Sequence, residues 1–232
     1  MNFFEVINSR RSVRRFTANS VPDEVIQNAL DAALKAPNSS NLQPWEFYWF
    51  KSPDKKAELA EACLFQGTAK TAAHLVVAVA RTDTWRRNRD ILVKQMQEIA
   101  PLSADLHTYY YKIIPFLYTQ DPFGLFSLGR YLAFTVLGLF RPILRGPISQ
   151  RDLWEVVTKT TALACQNFML AITAQGYGSC PMEGFDEKRV KRILNLNSKA
   201  QVVMVIGVGE PAPGGIFGPQ FRVDPKLVIH RL

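Results

Sequence analysis

Cysteine is scarce in this 232-residue sequence, with only Cys63, Cys165 and Cys180. An odd number, wide spacing and no C-x-x-C argue against a disulfide framework or a zinc knuckle, and a reducing cytosol is the setting that such cysteine usage fits. Histidine is as sparse: His74, His107 and His230 lie far apart, none at zinc-ligand spacing, so no metal site is expected. His74, at the head of an apolar run, reads as structural. Long hydrophobic runs are missing too. The most apolar stretch, YLAFTVLGLF at 131–140, lies between Arg130 and Arg141 and has about half of the roughly 20 residues that a spanning helix needs. The start, MNFFEVINSRR, lacks the order of charge, apolar run and small-residue cleavage site of a secretory signal. A cytoplasmic protein is expected. No G-x-S-x-G and no G-x-x-x-x-G-K-[ST] occurs, which leaves hydrolase and P-loop readings little support.

What is present describes an ordinary folding chain. Hydrophobic residues make up 47% and charged ones 21%, which excludes wholesale disorder. The length fits a single domain, 1–232, or one domain with an insertion. The net charge of +8 calls for acidic partners: nucleic acid, a membrane surface or a phosphorylated small molecule. Nucleic acid is the least favoured, because no module pattern appears and the basic residues are scattered.

Phe3, Phe4, Val6 and Ile7 predict a short amphipathic helix that ends where the arginines of NSRRSVRRF (8–16) begin. VPDEVIQNALDAALKAPN carries Pro22, Asp23 and Glu24 at its start and Lys35 before Pro37, a well-marked helix. WEFYWF (45–50), HLVVAVA (74–80) and QVVMVIGVG (201–209) read as strands. Between the first two, Ser52 is the expected N-cap and Pro53 the first helical residue. From about 152 to 175 the pattern is apolar on most faces, so a helix buried nearly all round, with help from a second subunit, is expected. Gly176 and Gly178 end it, and 185–196 forms another short helix. This mixture is α/β or α+β. Residues 82–150 differ, opening with a basic helix candidate and continuing with aromatics broken by proline and glycine. They read as an insertion serving as lid or interface extension.

The closing strand runs into GVGEPA, a formal G-x-G-x-x-A at Gly207, Gly209 and Ala212. Pro211, Pro213, Gly214 and Gly215 forbid the helix that a dinucleotide site requires after it. Taken singly, RRSVRR is a basic turn, NSSNLQPW a polar loop and CPMEGF a turn. Their occurrence together and in this order carries more. R-x-S-x-R at Arg10, Ser12 and Arg14, then APNSSNLQPWEF, then ALACQNFMLAITAQGYGSCPMEGF and VVMVIGVGEP resemble the flavin-dependent nitroreductase family over nearly all the chain outside the insertion.

The resemblance implies an α+β fold with a central mixed or antiparallel sheet flanked by helices. It also implies an intertwined homodimer with FMN at two sites between subunits, and NAD(P)H as electron donor. It assigns Arg10 and Arg222 to the FMN phosphate and Ser12 and Arg14 to the pyrimidine edge of the ring; Arg11 is counted with the cofactor-binding residues, with solvent or the dimer interface as its alternative. Pro37, Asn38, Ser39 and Asn41 are placed on the phosphate and ribityl chain from the other subunit, supported by Gln43. Asn38 departs from the family's usual serine. Pro181, Met182, Glu183 and Gly184 are assigned to one face of the ring, with a Glu183 or Gly184 N–H at flavin N5, and Gln66 to its polar edge. No side chain is assigned as catalytic, since the flavin carries the chemistry. Cys180 reads as a packing residue rather than a redox thiol. The implied activity is reduction of nitroaromatics, quinones or related acceptors. Two alternatives stay open: a specialised relative, such as a reductive dehalogenase or flavin-modifying enzyme, and a flavin-binding protein whose insertion contacts a membrane.

Overall fold

The computed structural model describes residues 1–121 and 124–232; Pro122 and Phe123, inside the segment read as an insertion, lie outside the described residues. Helix α1 (Phe3–Ser9) starts with a reciprocal cap: Asn2 Oδ1 accepts the Glu5 N–H and the Glu5 carboxylate accepts the Asn2 N–H. At Arg10 the backbone turns extended and the arginine segment leaves the helix. Helix α2 (Asp23–Leu34) follows Pro22, with Asp23 and Glu24 in its first turn, and buries Val25, Ile26, Ala29 and Ala33. Next come β1 (Trp45–Phe50), α3 (Pro53–Ala62), α4 (Gly67–Thr71) and β2 (His74–Arg81). Ser52 holds the cap position of α3 without a capping side-chain bond, so Pro53 alone supplies the expected start signal.

The segment after β2 is more helical than its prolines and glycines predict. The basic helix α5 (Trp85–Ile99) is followed by α6 (Ala104–Thr108), which continues through a π-helical turn at Tyr109–Ile113 into α7 (Ile114–Tyr118), and then by α8 (Leu125–Phe140). Among the described residues, no helix is long and apolar enough to cross a membrane. The long helix α9 (Gln150–Ala174), β3 (Gly178–Met182), α10 (Glu187–Ile193) and β4 (Ala200–Gly209) complete the order.

The four strands form one antiparallel sheet in the order β1-β2-β4-β3. Its two central strands are buried on both faces, and alternate residues enter different cores. Leu75, Val77 and Val79 face Leu59, Ala69 and Val190 of α3, α4 and α10. Val76 and Ala78 face Ile26, Phe168 and Ile172 of α2 and α9. A third cluster joins Trp85, Tyr110, Ile114 and Tyr118 to Leu42, Leu153 and Val157, seating α5 to α7 on the main body.

One expectation needs correction. CPMEGF is not simply a turn: its first half belongs to β3, pairing Gly178 to Met182 with Gly209 to Val205. Glycine, serine, cysteine and proline are weak strand formers, and Pro181 is tolerated because β3 is an edge strand. Gly178 accordingly opens a strand, while Gly176, with φ of 86°, turns the chain out of α9. In the single chain, α9 keeps one exposed face. Arg151, Glu155, Lys159, Leu163 and Gln166 form an exposed stripe, charged in its first three positions and apolar at Leu163, which is about half exposed.

Candidate functional site

The arginine segment is laid along the free edge of β3. Ser12 bridges to Ser179, and the Val13 N–H donates to the Ser179 carbonyl at 3.1 Å. On its other side the Arg14 N–H donates to the Gly215 carbonyl at 2.7 Å, and Phe16 bridges to Pro211. Two glycines make room for this. A Cβ on Gly178 would stand 2.6 Å from Val13 Cγ2, and one on Gly209 would stand 2.8 Å from the Phe16 ring. Val13 and Phe16 are thereby buried, while Arg14 stays exposed.

Anchoring of these apolar residues brings Arg10, Arg11, Ser12 and Arg14 around one cavity of about 220 Å³, closed by Phe217, Gln220 and Arg222 from the C-terminal segment. Among the described residues no carboxylate lines it. Arg11 is already engaged, its Nη2 donating to the Gly218 carbonyl at 2.6 Å, so it fastens the C-terminal segment over the cavity. Arg222 donates to its neighbour's Phe221 carbonyl through Nη1. Among the described residues the Arg10 and Arg14 guanidinium groups have no protein partner. Arg10 and Arg222 also border a second cavity with Ile7, Asn8, Gln166 and Leu170.

At the far end of β3 the side chains divide. Met182 is 2% exposed and its side chain packs in the core with Val190 and Val202. Glu183 and Gly184 are exposed, and among the described residues neither N–H donates to a protein acceptor. Gln66 Nε2 donates to the Gly184 carbonyl at 2.5 Å and to the Cys63 carbonyl at 3.1 Å. Gln66 thus ties the α3–α4 connection to this turn. Cys180 is fully buried, and all three cysteines are free thiols.

Pro37, Asn38, Ser39 and Asn41 form a separate loop, and none lines the arginine cavity. Ser40, Asn41 and Gln43 all hold left-handed φ, between 47° and 58°, a conformation that non-glycine residues keep only when held there. Asn38 supplies one restraint, its Oδ1 accepting the Gln43 N–H at 2.8 Å. Asn88 of α5 donates to the Leu42 and Gln43 carbonyls. Three tyrosines supply the rest: Tyr109 pairs with Ser40 Oγ at 2.8 Å, Tyr118 with Ser39 Oγ at 3.3 Å, and Tyr110 donates to the Ser40 carbonyl at 3.4 Å. Burial raises the Tyr110 and Tyr118 pKa values, keeping both phenols protonated. Sequence reasoning missed these positioning residues, and the YYY run at 109–111 was the available signal. The π-helical turn is what aims adjacent tyrosines at one loop.

Comparison with known proteins gives a consistent result. The profile of the Nitroreductase family matches residues 7–210. A protein named NADH dehydrogenase from Thermus thermophilus is 28% identical over 220 residues, covering 95% of this chain and 91% of its own. The solved structure of the putative nitroreductase ydfN of Bacillus subtilis superposes with a TM-score of 0.78 at 19% identity, covering 99% of this chain and 98% of that one. A putative nitroreductase of Exiguobacterium sibiricum, solved in complex with FMN, superposes with a TM-score of 0.73 at 20% identity, covering 100% and 98%. These structures share the fold of α+β layers around the antiparallel sheet. With its R-x-S-x-R segment seated on β3 and a family profile spanning most of its length, the chain belongs to the nitroreductase family.

Proposed function

We propose that this chain is an FMN-dependent NAD(P)H oxidoreductase acting on nitroaromatic, quinone or related acceptors as a homodimer. The observation that carries the reading is the convergence of Arg10, Ser12, Arg14 and Arg222 on one cavity that no carboxylate lines among the described residues; at the other end of β3 the Glu183 and Gly184 N–H groups are unused. That donor set fits the phosphate and the electron-rich ring of FMN. The FMN named for the Exiguobacterium protein and the donor named for the Thermus relative support the same choice.

In this reading Arg10 and Arg222 hold the phosphate. Ser12 and Arg14 set positive potential beside the pyrimidine edge, where charge on a reduced ring is greatest. Glu183 and Gly184 direct an N–H at N5, and Gln66 fixes the turn that carries them. Pro181 and the Met182 backbone wall one side. Pro37, Asn38, Ser39 and Asn41 of the partner subunit cover the phosphate and ribityl chain, which agrees with their distance from the cavity within one chain. FMN, when bound, would supply the hydride-carrying redox chemistry between NAD(P)H and the acceptor; the residues would position both partners and shield them from water. Residues 82–150 form the insertion, here a support for the 37–43 loop, and the free buried thiols suit a cytoplasmic setting.

The test is the absorption spectrum of the purified protein. A flavin spectrum that bleaches anaerobically on adding NADH or NADPH and recovers with a quinone is expected. A colourless protein that takes up no added FMN overturns the reading. Arg10→Ala should weaken FMN binding by about 1.5–3 kcal/mol, on the order of tenfold to a hundredfold in Kd; unchanged retention would remove Arg10 from the phosphate.

A further inference from the structure

Helix α8 is polar inside and apolar outside. Its inward stripe is Ser127, Arg130, Phe134 and Gly138, and the other twelve residues from Leu125 to Phe140 are exposed without one charge among them. Leu125, Leu139 and Phe140 are 67%, 77% and 82% exposed, whereas Arg130 is 4% exposed. The Arg130 guanidinium donates to the Phe116, Leu117, Thr119 and Phe126 carbonyls, closing the end of α7. The helix's only charge thus fastens it to the protein. A helix meant to face water shows the opposite pattern, and an apolar surface of this extent marks contact with another apolar body.

Charge selects that body. Residues 124–151 hold Arg130, Arg141, Arg145 and Arg151 and no aspartate or glutamate, and Arg141 and Arg145 are exposed just beyond α8. A second copy packed on this face about a two-fold axis would bring the same arginine-rich surface against itself, with no acid to meet it. An anionic bilayer offers an apolar phase for the helix and phosphates for the arginines together. Sixteen residues span about 24 Å, and no described helix can cross a membrane, so α8 lies in the plane of the interface. We propose that α8 and the arginines that follow it dock this protein onto an anionic phospholipid surface, with the helix sunk at the headgroup–acyl boundary. The inference does not rest on the cofactor reading.

Flotation of the full-length protein with vesicles tests it, using phosphatidylcholine alone and phosphatidylcholine mixed with phosphatidylglycerol, at low and high salt. The expected result is flotation with the anionic vesicles, reduced by salt. The double variants Leu132→Asp/Leu139→Asp and Arg141→Glu/Arg145→Glu should each lower the vesicle-bound fraction by about tenfold or more, with circular dichroism and size-exclusion elution unchanged. Failure of the wild type to float with either vesicle overturns the proposal. So does flotation that neither variant reduces, or a change of oligomeric state in Leu132→Asp/Leu139→Asp, which would show that a second copy covers α8.

Discussion

Cys63 and Cys165 are kept neutral by burial, which raises their thiol pKa values to about 11 and about 12 from an ordinary value near 9. For an acid whose folded pKa is raised, the associated stability is fully present below the unfolded value and lost as pH rises through the folded one. Stability in urea should therefore hold from neutrality to about pH 8.5 and decline toward pH 11. At pH 8 a thiol reagent should label neither residue in the native protein, and all three cysteines after unfolding. Rapid labelling of the native protein would show that one of these sites opens. Among the arginines, sequence identified the cluster but not the division of labour. Spacing gives no sign that Arg11 is committed to the Gly218 carbonyl while Arg10 and Arg14 have no partner among the described residues, because that depends on a C-terminal segment about two hundred residues away.

At the scale of elements, the placement of the whole arginine segment rests on glycines of two strands. Gly209 is the case where the sequence signal had a different meaning from its form. G-x-G at the end of β4 mimics a phosphate-binding turn, but its role here is clearance: Gly207 lies against Thr68 and Ala72, and Gly209 against Phe16. Gly209→Ala would put a Cβ 2.8 Å from Phe16 Cβ, Cγ and Cδ1, forcing a shift that costs about 1–3 kcal/mol. FMN affinity should fall with it, since Phe16 anchors the segment that carries Ser12 and Arg14. Gly129→Ala in α8 meets nothing within 4 Å and should be neutral or slightly stabilising by up to about 1 kcal/mol. Urea midpoints and FMN titrations of both variants check this, and equal effects would remove the clearance argument. The strongly patterned elements, α2, β1, β2 and β4, were legible because period and end signals agreed. β3 was not, because tertiary pairing with β4 overrides weak local propensity, and α8 was hidden by the glycines it tolerates.

For the whole molecule, the proposed homodimer accounts for two features of the single chain. The arginine cavity and the 37–43 loop are both built and restrained, yet they do not meet within one chain. Apolar residues stay exposed on α1 at Phe3 and Phe4, on α9 at Leu163, and along the C-terminal segment at Phe221 and Ile229. In the proposed homodimer, a symmetric pairing through α9 would cover these and bring one chain's loop to the other's cavity. The sequence hinted at this through an α9 more apolar than one chain needs, but not that the apolar part of its uncovered stripe, at Leu163, lies in its second half. Leu163→Glu should therefore act on assembly and cofactor together. Placed at a self-complementary interface, two buried carboxylates would oppose each other without partners, so sedimentation should show monomer at concentrations where the wild type is dimeric. FMN retention should fall in proportion to the monomer fraction and return as protein concentration is raised. A variant that is monomeric yet keeps FMN at wild-type affinity would mean that Arg10, Arg14 and Arg222 form a complete site within one chain, and that the 37–43 loop, with its three tyrosine restraints, serves something other than the cofactor.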